Sequence, residues 1–171
     1  KNEQLKNIDV EQEGEYNYYS ANATIHQGIE FDVSFKFNLK LNVSLNGAIN
    51  HNSFESGDSK GNFLPNTPLT LGNSVISYQH SKGIQTFIKL RYVGKQFVDD
   101  NNTPEGVIDP FTLVDLGSSL KFGKVALNLK INNLLDTMYS TFGYGYEWDG
   151  YWAFFWPGST RSFYASLEYN F

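Results

Sequence analysis

The sequence predicts an all-β fold, a transmembrane antiparallel β-barrel of which seven strands are present. Three observations lead there. Apolar and polar residues alternate with period 2 in stretch after stretch, the mark of a two-faced strand. The links between stretches alternate between very short and long, as in barrels with tight turns at one rim and long loops at the other. No run of about 18 consecutive apolar residues occurs, so no transmembrane helix competes with this reading.

Residues 1–20 open on a polar stretch, and residues 21–171 are expected to be the C-terminal portion of the barrel. In 29–37, Ile29, Phe31, Val33, Phe35 and Phe37 alternate with Glu30, Asp32, Ser34 and Lys36. In 41–49, Leu41, Val43, Leu45 and Ile49 share one face. Residues 72–80, 84–94 and 112–122 follow the rule less cleanly. Val125, Leu127, Leu129 and Ile131 form the next apolar set, and Phe163, Ala165, Leu167, Tyr169 and Phe171 the last.

Register tests the alternation, because a slip of one residue exchanges the two faces. A two-residue turn at 123–124 pairs Phe122 with Val125. A three-residue turn at 81–83 pairs His80 with Ile84, Tyr78 with Thr86 and Ile76 with Ile88, with Gly83 in the left-handed region. A three-residue turn at 38–40 pairs Phe37 with Leu41. All three keep apolar faces together. The long links, 53–69, 99–110 and 140–159, are then extracellular and the short ones periplasmic. A soluble β-sandwich also alternates, but its strands usually run about 5–6 residues, shorter than several here.

The chain has no Cys, which excludes disulfides and thiolate metal sites, and its net charge of -5 argues against nucleic acid as a partner. No nucleophile-elbow, phosphate-loop or zinc-protease motif occurs, so an enzyme is not expected. His26, His51 and His80 lack a carboxylate cluster, and neither metal nor cofactor is expected. Asp99-Asp100-Asn101-Asn102 lacks the spacing of a calcium loop and reads as a solvated turn.

The C-terminal third adds a family resemblance. Asn133, Leu134, Asp136 and Tyr139, followed by Pro157, Arg161 and a strand ending in Phe171, resemble the closing motif of TonB-dependent outer-membrane receptors. Leu135 departs from it, since the family usually has Phe there. Gly28 and Glu30, Pro65 and Pro68, and Tyr92, Gly94 and Asp99 resemble further recurrent segments, so the likeness covers about residues 20–171. The resemblance implies a plugged bacterial outer-membrane barrel of about 22 strands. It also implies energy-coupled import of a scarce nutrient, a ferric siderophore above all, and a periplasmic C-terminus; counting strands back from Phe171, residues 1–20 are then expected to be an extracellular loop. The missing strands and plug are expected elsewhere in a longer protein. The implied partners are outer-membrane lipid, the plug and remaining strands, the TonB complex through an N-terminal part, the barrel-assembly machinery and a surface lipoprotein. A passive porin, a barrel enzyme and a soluble β-sandwich binding module are the alternatives.

Two groups of residues are candidates for function. Phe163, Ala165, Leu167, Tyr169 and Phe171 form an apolar comb that resembles the family's barrel-assembly signal. The stretch 142–156 is dense in aromatics, and loops are normally polar; Tyr144, Tyr146, Trp148, Tyr151, Trp152 and Trp156 are candidates for substrate or partner binding. An aromatic girdle at the outer leaflet is the alternative. The inner face is expected to carry Lys89, Arg91, Lys95, Asp115, Lys121, Lys130 and Glu168, with Asp115 close to Lys130.

Overall fold

The computed structural model describes the backbone of residues 2–8 and 17–171, and side chains from Ala23 onward. Its strands are β1 (Asn2–Ile8), β2 (Asn17–Lys36), β3 (Leu41–Phe54), β4 (Thr70–Ser81), β5 (Ile84–Val93), β6 (Gln96–Phe97), β7 (Val107–Ile108), β8 (Phe111–Phe122), β9 (Val125–Asn132), β10 (Ser140–Glu147), β11 (Tyr151–Pro157) and β12 (Ser162–Tyr169). Eight of them form one antiparallel sheet in the order β1-β2-β3-β4-β5-β8-β9-β12. β6–β7 and β10–β11 are separate two-stranded ribbons.

All seven expected strands are present, and β1 is an eighth. Of the segment expected to be an extracellular loop, residue 1 and residues 9–16 lie outside the described residues; 2–8 and 17–20 are strand. β1 pairs only with the first part of β2, from Ile8↔Asn17 to Asn2↔Thr24. The β2–β3 ladder begins where that pairing stops, at Thr24↔Phe54. The sequence of β1 carries no two-faced pattern, so ladder pairing alone makes it a strand. β2 has 20 residues. At ~3.3 Å per residue that is roughly 65 Å, more than a tilted crossing of a ~30 Å hydrocarbon core requires.

The register agrees with the alternation at Phe122↔Val125, Tyr78↔Thr86 and Ile76↔Ile88. Phe37 donates its N–H to the Leu41 carbonyl at 3.1 Å, and Asn38 Oδ1 accepts the Lys40 and Leu41 N–H groups inside that turn. One expected pair is corrected. Ser81, not His80, faces Ile84, because a bulge falls between Gln79 and Ser81. The turn is therefore Lys82-Gly83, with Gly83 at φ 100°. The weak alternation of β5 also has a cause: Phe87 lies on the inner face, its ring over Gly117, its register partner on β8.

The apolar face decides between membrane barrel and sandwich. Ile29 is 72% exposed, Phe163 75% and Leu167 73%. Among the described residues no second layer covers this face, as a sandwich would require. The buried apolar residues instead gather where the long links lie: Phe54, Leu64, Val98 and Ile108, with Leu113 beside them.

Candidate functional site

The long links are packed against one another, and one of them is mostly β structure, where plain loops were expected. Most of 140–159 is a hairpin in which Phe142 pairs with Trp156, Tyr144 with Phe154 and Tyr146 with Trp152. Partners in a ladder share a face, so these six rings lie together. Tyr144 stacks on Phe154 at 5.2 Å between centroids, and Phe142 meets Trp156 edge-on at 5.3 Å. Such pairs are worth about 0.5–1.5 kcal/mol each beyond the area they bury. Each of the six side chains is nonetheless 42–53% exposed.

The opposite face is built to pack. It carries Gly143, Gly145, Tyr151, Ala153 and Phe155. A side chain at Gly143 would strike Val98, and one at either Gly145 or Gly106 would strike the Tyr151 phenol. Tyr151 threads between these two glycines and donates its hydroxyl proton to Asp99 Oδ2 at 2.6 Å. Burial first, and then this hydrogen bond, push the phenol well above its ordinary pKa.

Asp99 corrects the reading of a solvated turn. Its Oδ1 accepts from the N–H groups of Asn101 and Thr103 and from the Thr103 hydroxyl. Asn102, at φ 55°, clasps the next link: its Oδ1 accepts the Phe63 N–H at 2.7 Å and its Nδ2 donates to the Phe63 carbonyl at 2.8 Å. Asn66, at φ 53°, makes the same double bond with the backbone of Gly143. Three links that are remote in sequence thus hold one another through amide and carboxylate side chains.

Of the six aromatic candidates, Tyr144, Tyr146, Trp152 and Trp156 share the exposed face, and Trp148 stands 77% exposed at the hairpin end. Tyr151 lies on the other face, spent on Asp99, so it is not part of that surface. Phe142 and Phe154 complete the surface; strand parity alone would have found them, had the hairpin register been known.

The closing motif is a clasp between β9 and β12. Asn133 donates from Nδ2 to the carbonyls of Thr137 and Ser159, and its N–H is held by Asp115 Oδ1 at 2.9 Å. Asp136 accepts the Arg161 N–H at 2.8 Å and pairs with its guanidinium at 3.7 Å. The Tyr139 ring lies over Gly158 and against Phe111, 4.6 Å between centroids. The comb residues Phe163, Ala165, Leu167 and Tyr169 lie on β12, at the sheet edge, paired to Ile131, Leu129, Leu127 and Val125. Phe171 follows the strand and meets Tyr169 edge-on at 5.1 Å.

The expected Asp115–Lys130 contact is an ion pair at 3.9 Å. The three histidines are placed separately: His26 by Thr24, His51 against Phe63, and His80 between Tyr78 and Thr86. No group of three or more metal-binding side chains converges among the described residues.

Comparison with known proteins gives the frame. The family model for the TonB dependent receptor-like β-barrel matches residues 1–134. The ferrioxamine receptor of Yersinia enterocolitica is 34% identical over 117 residues, 62% of this chain and 15% of that protein. Among solved structures, the ferric yersiniabactin uptake receptor FyuA of Yersinia pestis superposes with a TM-score of 0.78 at 17% identity. That match covers 91% of this chain and 25% of that one. The siderophore receptor PiuA of Acinetobacter baumannii superposes at 0.73 with 20% identity, over 88% of this chain and 22% of its own. The chain therefore spans about a quarter or less of the relatives it matches. The eight-stranded wall, its uncovered apolar face and these matches agree: the chain belongs to the TonB-dependent receptor-like β-barrel family and is a portion of such an outer-membrane barrel.

Proposed function

We propose that the whole receptor imports a ferric siderophore through the outer membrane by energy-coupled transport, with the TonB complex acting through a part of the protein outside this chain. The observation that carries this is the family match over 134 residues, joined by likeness to a ferrioxamine receptor. The long links face the cell exterior in this reading, and the C-terminus lies in the periplasm. The face made by Tyr144, Tyr146, Trp152 and Trp156, with Phe142 and Phe154, is then a capture surface. Broad rings on a clasped hairpin lose little conformational freedom on contact, which favours binding.

The apolar comb supports a second role at the C-terminal end. Among the described residues β12 pairs on one side only, with β9, and its Phe163 and Leu167 side chains are exposed. An unpaired edge with regularly spaced apolar side chains can be read by strand addition, and we assign it to recognition by the barrel-assembly machinery.

Iron-starved cells expressing the full receptor, offered iron-loaded ferrioxamine and then a panel of other ferric siderophores, test the transport reading. Uptake of at least one of them is expected, with loss in cells lacking TonB. Uptake that persists without TonB would mark a passive porin, and no uptake from the whole panel would exclude siderophore import.

A further inference from the structure

Among the described residues β11 pairs with β10 alone, so its other edge is open. The clasp of Asn66 tells which backbone groups point there. In an antiparallel ladder the N–H and C=O of one residue point to the same side, and successive residues alternate. Asn66 holds both groups of Gly143, so these point away from β11. The register partner of Gly143 is Phe155, which therefore turns its own N–H and C=O away from β10. Ala153 and Tyr151 follow at every second position, while Trp152, Phe154 and Trp156 spend their groups on β10. The open edge thus offers an N–H and a C=O from each of Tyr151, Ala153 and Phe155.

This edge carries none of the usual defences. Natural edge strands are blunted by charges, by bulges or by a cover. Residues 151–157 hold no charged side chain, and Trp152, Phe154, Phe155 and Trp156 are exposed. The register shift of the hairpin falls at its base, between Ser140 and Phe142, and leaves the edge of β11 straight. The remaining defence is a cover.

The place of the hairpin in the wall names the cover. The edge of β10 is clasped to the 53–69 link, which joins β3 to β4 farther along the wall. The edge of β11 is turned the opposite way, past β12. In the whole receptor the wall continues there, since this chain spans 25% of FyuA and a barrel in lipid leaves no strand unpaired. Another strand of the receptor therefore lies roughly 4.8 Å from β12, on the side away from β9. It runs antiparallel to β12, and its link leaves the same rim beside β11.

We propose that the link carried by this neighbouring strand adds itself to β11 as a third strand of the aromatic ribbon. Main-chain bonds to Tyr151, Ala153 and Phe155 hold it, as in other cases of strand addition. Its own alternation puts an apolar side chain beside the row of Trp152, Phe154 and Trp156, which widens the aromatic face by one strand. The inference rests on membership of a closed barrel and is independent of the cargo.

Hydrogen exchange of the full-length receptor, held singly in lipid nanodiscs, tests this. The Ala153 and Phe155 amides are expected to exchange as slowly as Phe154, which is bonded to β10. In a receptor whose neighbouring link is cut to a short Gly-Ser turn, Ala153 and Phe155 should exchange faster by about tenfold or more, with Phe154 unchanged. Ala153→Pro removes an N–H that points away from β10, so it spares the hairpin and blocks the added strand. Protease should then cut the neighbouring link several-fold faster. Fast exchange of Ala153 and Phe155 in the intact single receptor would show an open edge and overturn the proposal. Slow exchange only when two receptors share a disc would make a second copy the cover and overturn it. Slow exchange that survives the shortened link would assign the cover to another segment and overturn it too. If the shortened link melts the hairpin and frees Phe154 as well, Ala153→Pro decides, and unchanged cleavage of the neighbouring link overturns the proposal.

Discussion

The carboxamide of Asn66 pairs with the backbone of Gly143 as one peptide unit pairs with another. Its Nδ2 donates to the Gly143 carbonyl at 2.8 Å and its Oδ1 accepts the Gly143 N–H at 3.0 Å, across 77 residues of sequence. The bond joins the 53–69 link to the aromatic hairpin, so β10 is held along both edges, by β11 on one and by Asn66 on the other. Asn66 sits at φ 53°, a region that Asn tolerates better than most residues. Asn66→Ala should lower local stability of the hairpin by about 1–3 kcal/mol, because it strands two part-buried backbone groups. Asn66→Asp should be worse than a loss of donors alone, since its carboxylate would face the Gly143 carbonyl. Hydrogen exchange at the Gly143 amide checks this: unchanged protection in Asn66→Ala would mean that the pairing holds nothing.

Tyr151 and Asp99 form the second tie. Tyr151→Phe should release the 99–103 turn at a cost of about 1.5–3 kcal/mol, the range for a hydrogen bond to a charged group. Gly145→Ala should do the same by displacing the phenol, and the two changes together should cost little more than either alone. Protease sensitivity of the 99–106 segment is the measurement, and full additivity would refute the shared mechanism.

The same pair makes a pH prediction. The phenol's pKa in the fold lies above its unfolded value, so the neutral form is the one the fold favours. The stabilisation is present in full below a free tyrosine's pKa of about 10, and is lost as pH rises from there toward the folded value. Ultraviolet titration should show one phenol ionising late, and that delay should vanish in Asp99→Asn combined with Gly106→Ala. A late transition that survives both changes would assign the shift to another tyrosine.

On β9, Leu129 belongs to the apolar face and is 44% exposed, opposite Ala165. Leu129→Arg should destabilise the barrel by about 2–4 kcal/mol if the residue stands near the bilayer midplane. Cysteines at 128, 129 and 130, labelled with a fluorophore and challenged with a lipid-soluble quencher, should be quenched strongly only at 129. Equal quenching at all three would end the two-face assignment.

Phe171 lies beyond the last strand and is fully exposed in this chain, so it contributes little to packing. Its deletion should lower the amount of receptor in the outer membrane several-fold, while the receptors that do assemble keep nearly normal heat resistance. Normal surface levels with a lowered melting temperature would turn the comb into a stability element and set aside its role in assembly.

The two-faced strands were legible because period 2 is a local property: 29–37, 41–49, 125–131 and 163–171 record in their own residues which side meets lipid, while 84–94 is blurred by Phe87 on the inner face. The short turns were legible for a related reason, since two or three residues between apolar runs leave few registers open. The bulge at His80 was not, because a bulge is a property of two strands at once and both registers place apolar residues acceptably. Nor was β1, whose polar sequence becomes a strand only because the first part of β2 offers it unpaired backbone groups. The aromatic density of 142–156 was plain in the sequence, but its division into an exposed face and a packed one was not. That division depends on where the hairpin starts pairing, and a register shift between Ser140 and Phe142 resets the count. The clasps of Asn66, Asn102 and Tyr151 lie furthest from the sequence. Each joins segments tens of residues apart through a single polar side chain, so only the assembled wall, which brings the three long links to one rim, decides which partner each side chain finds.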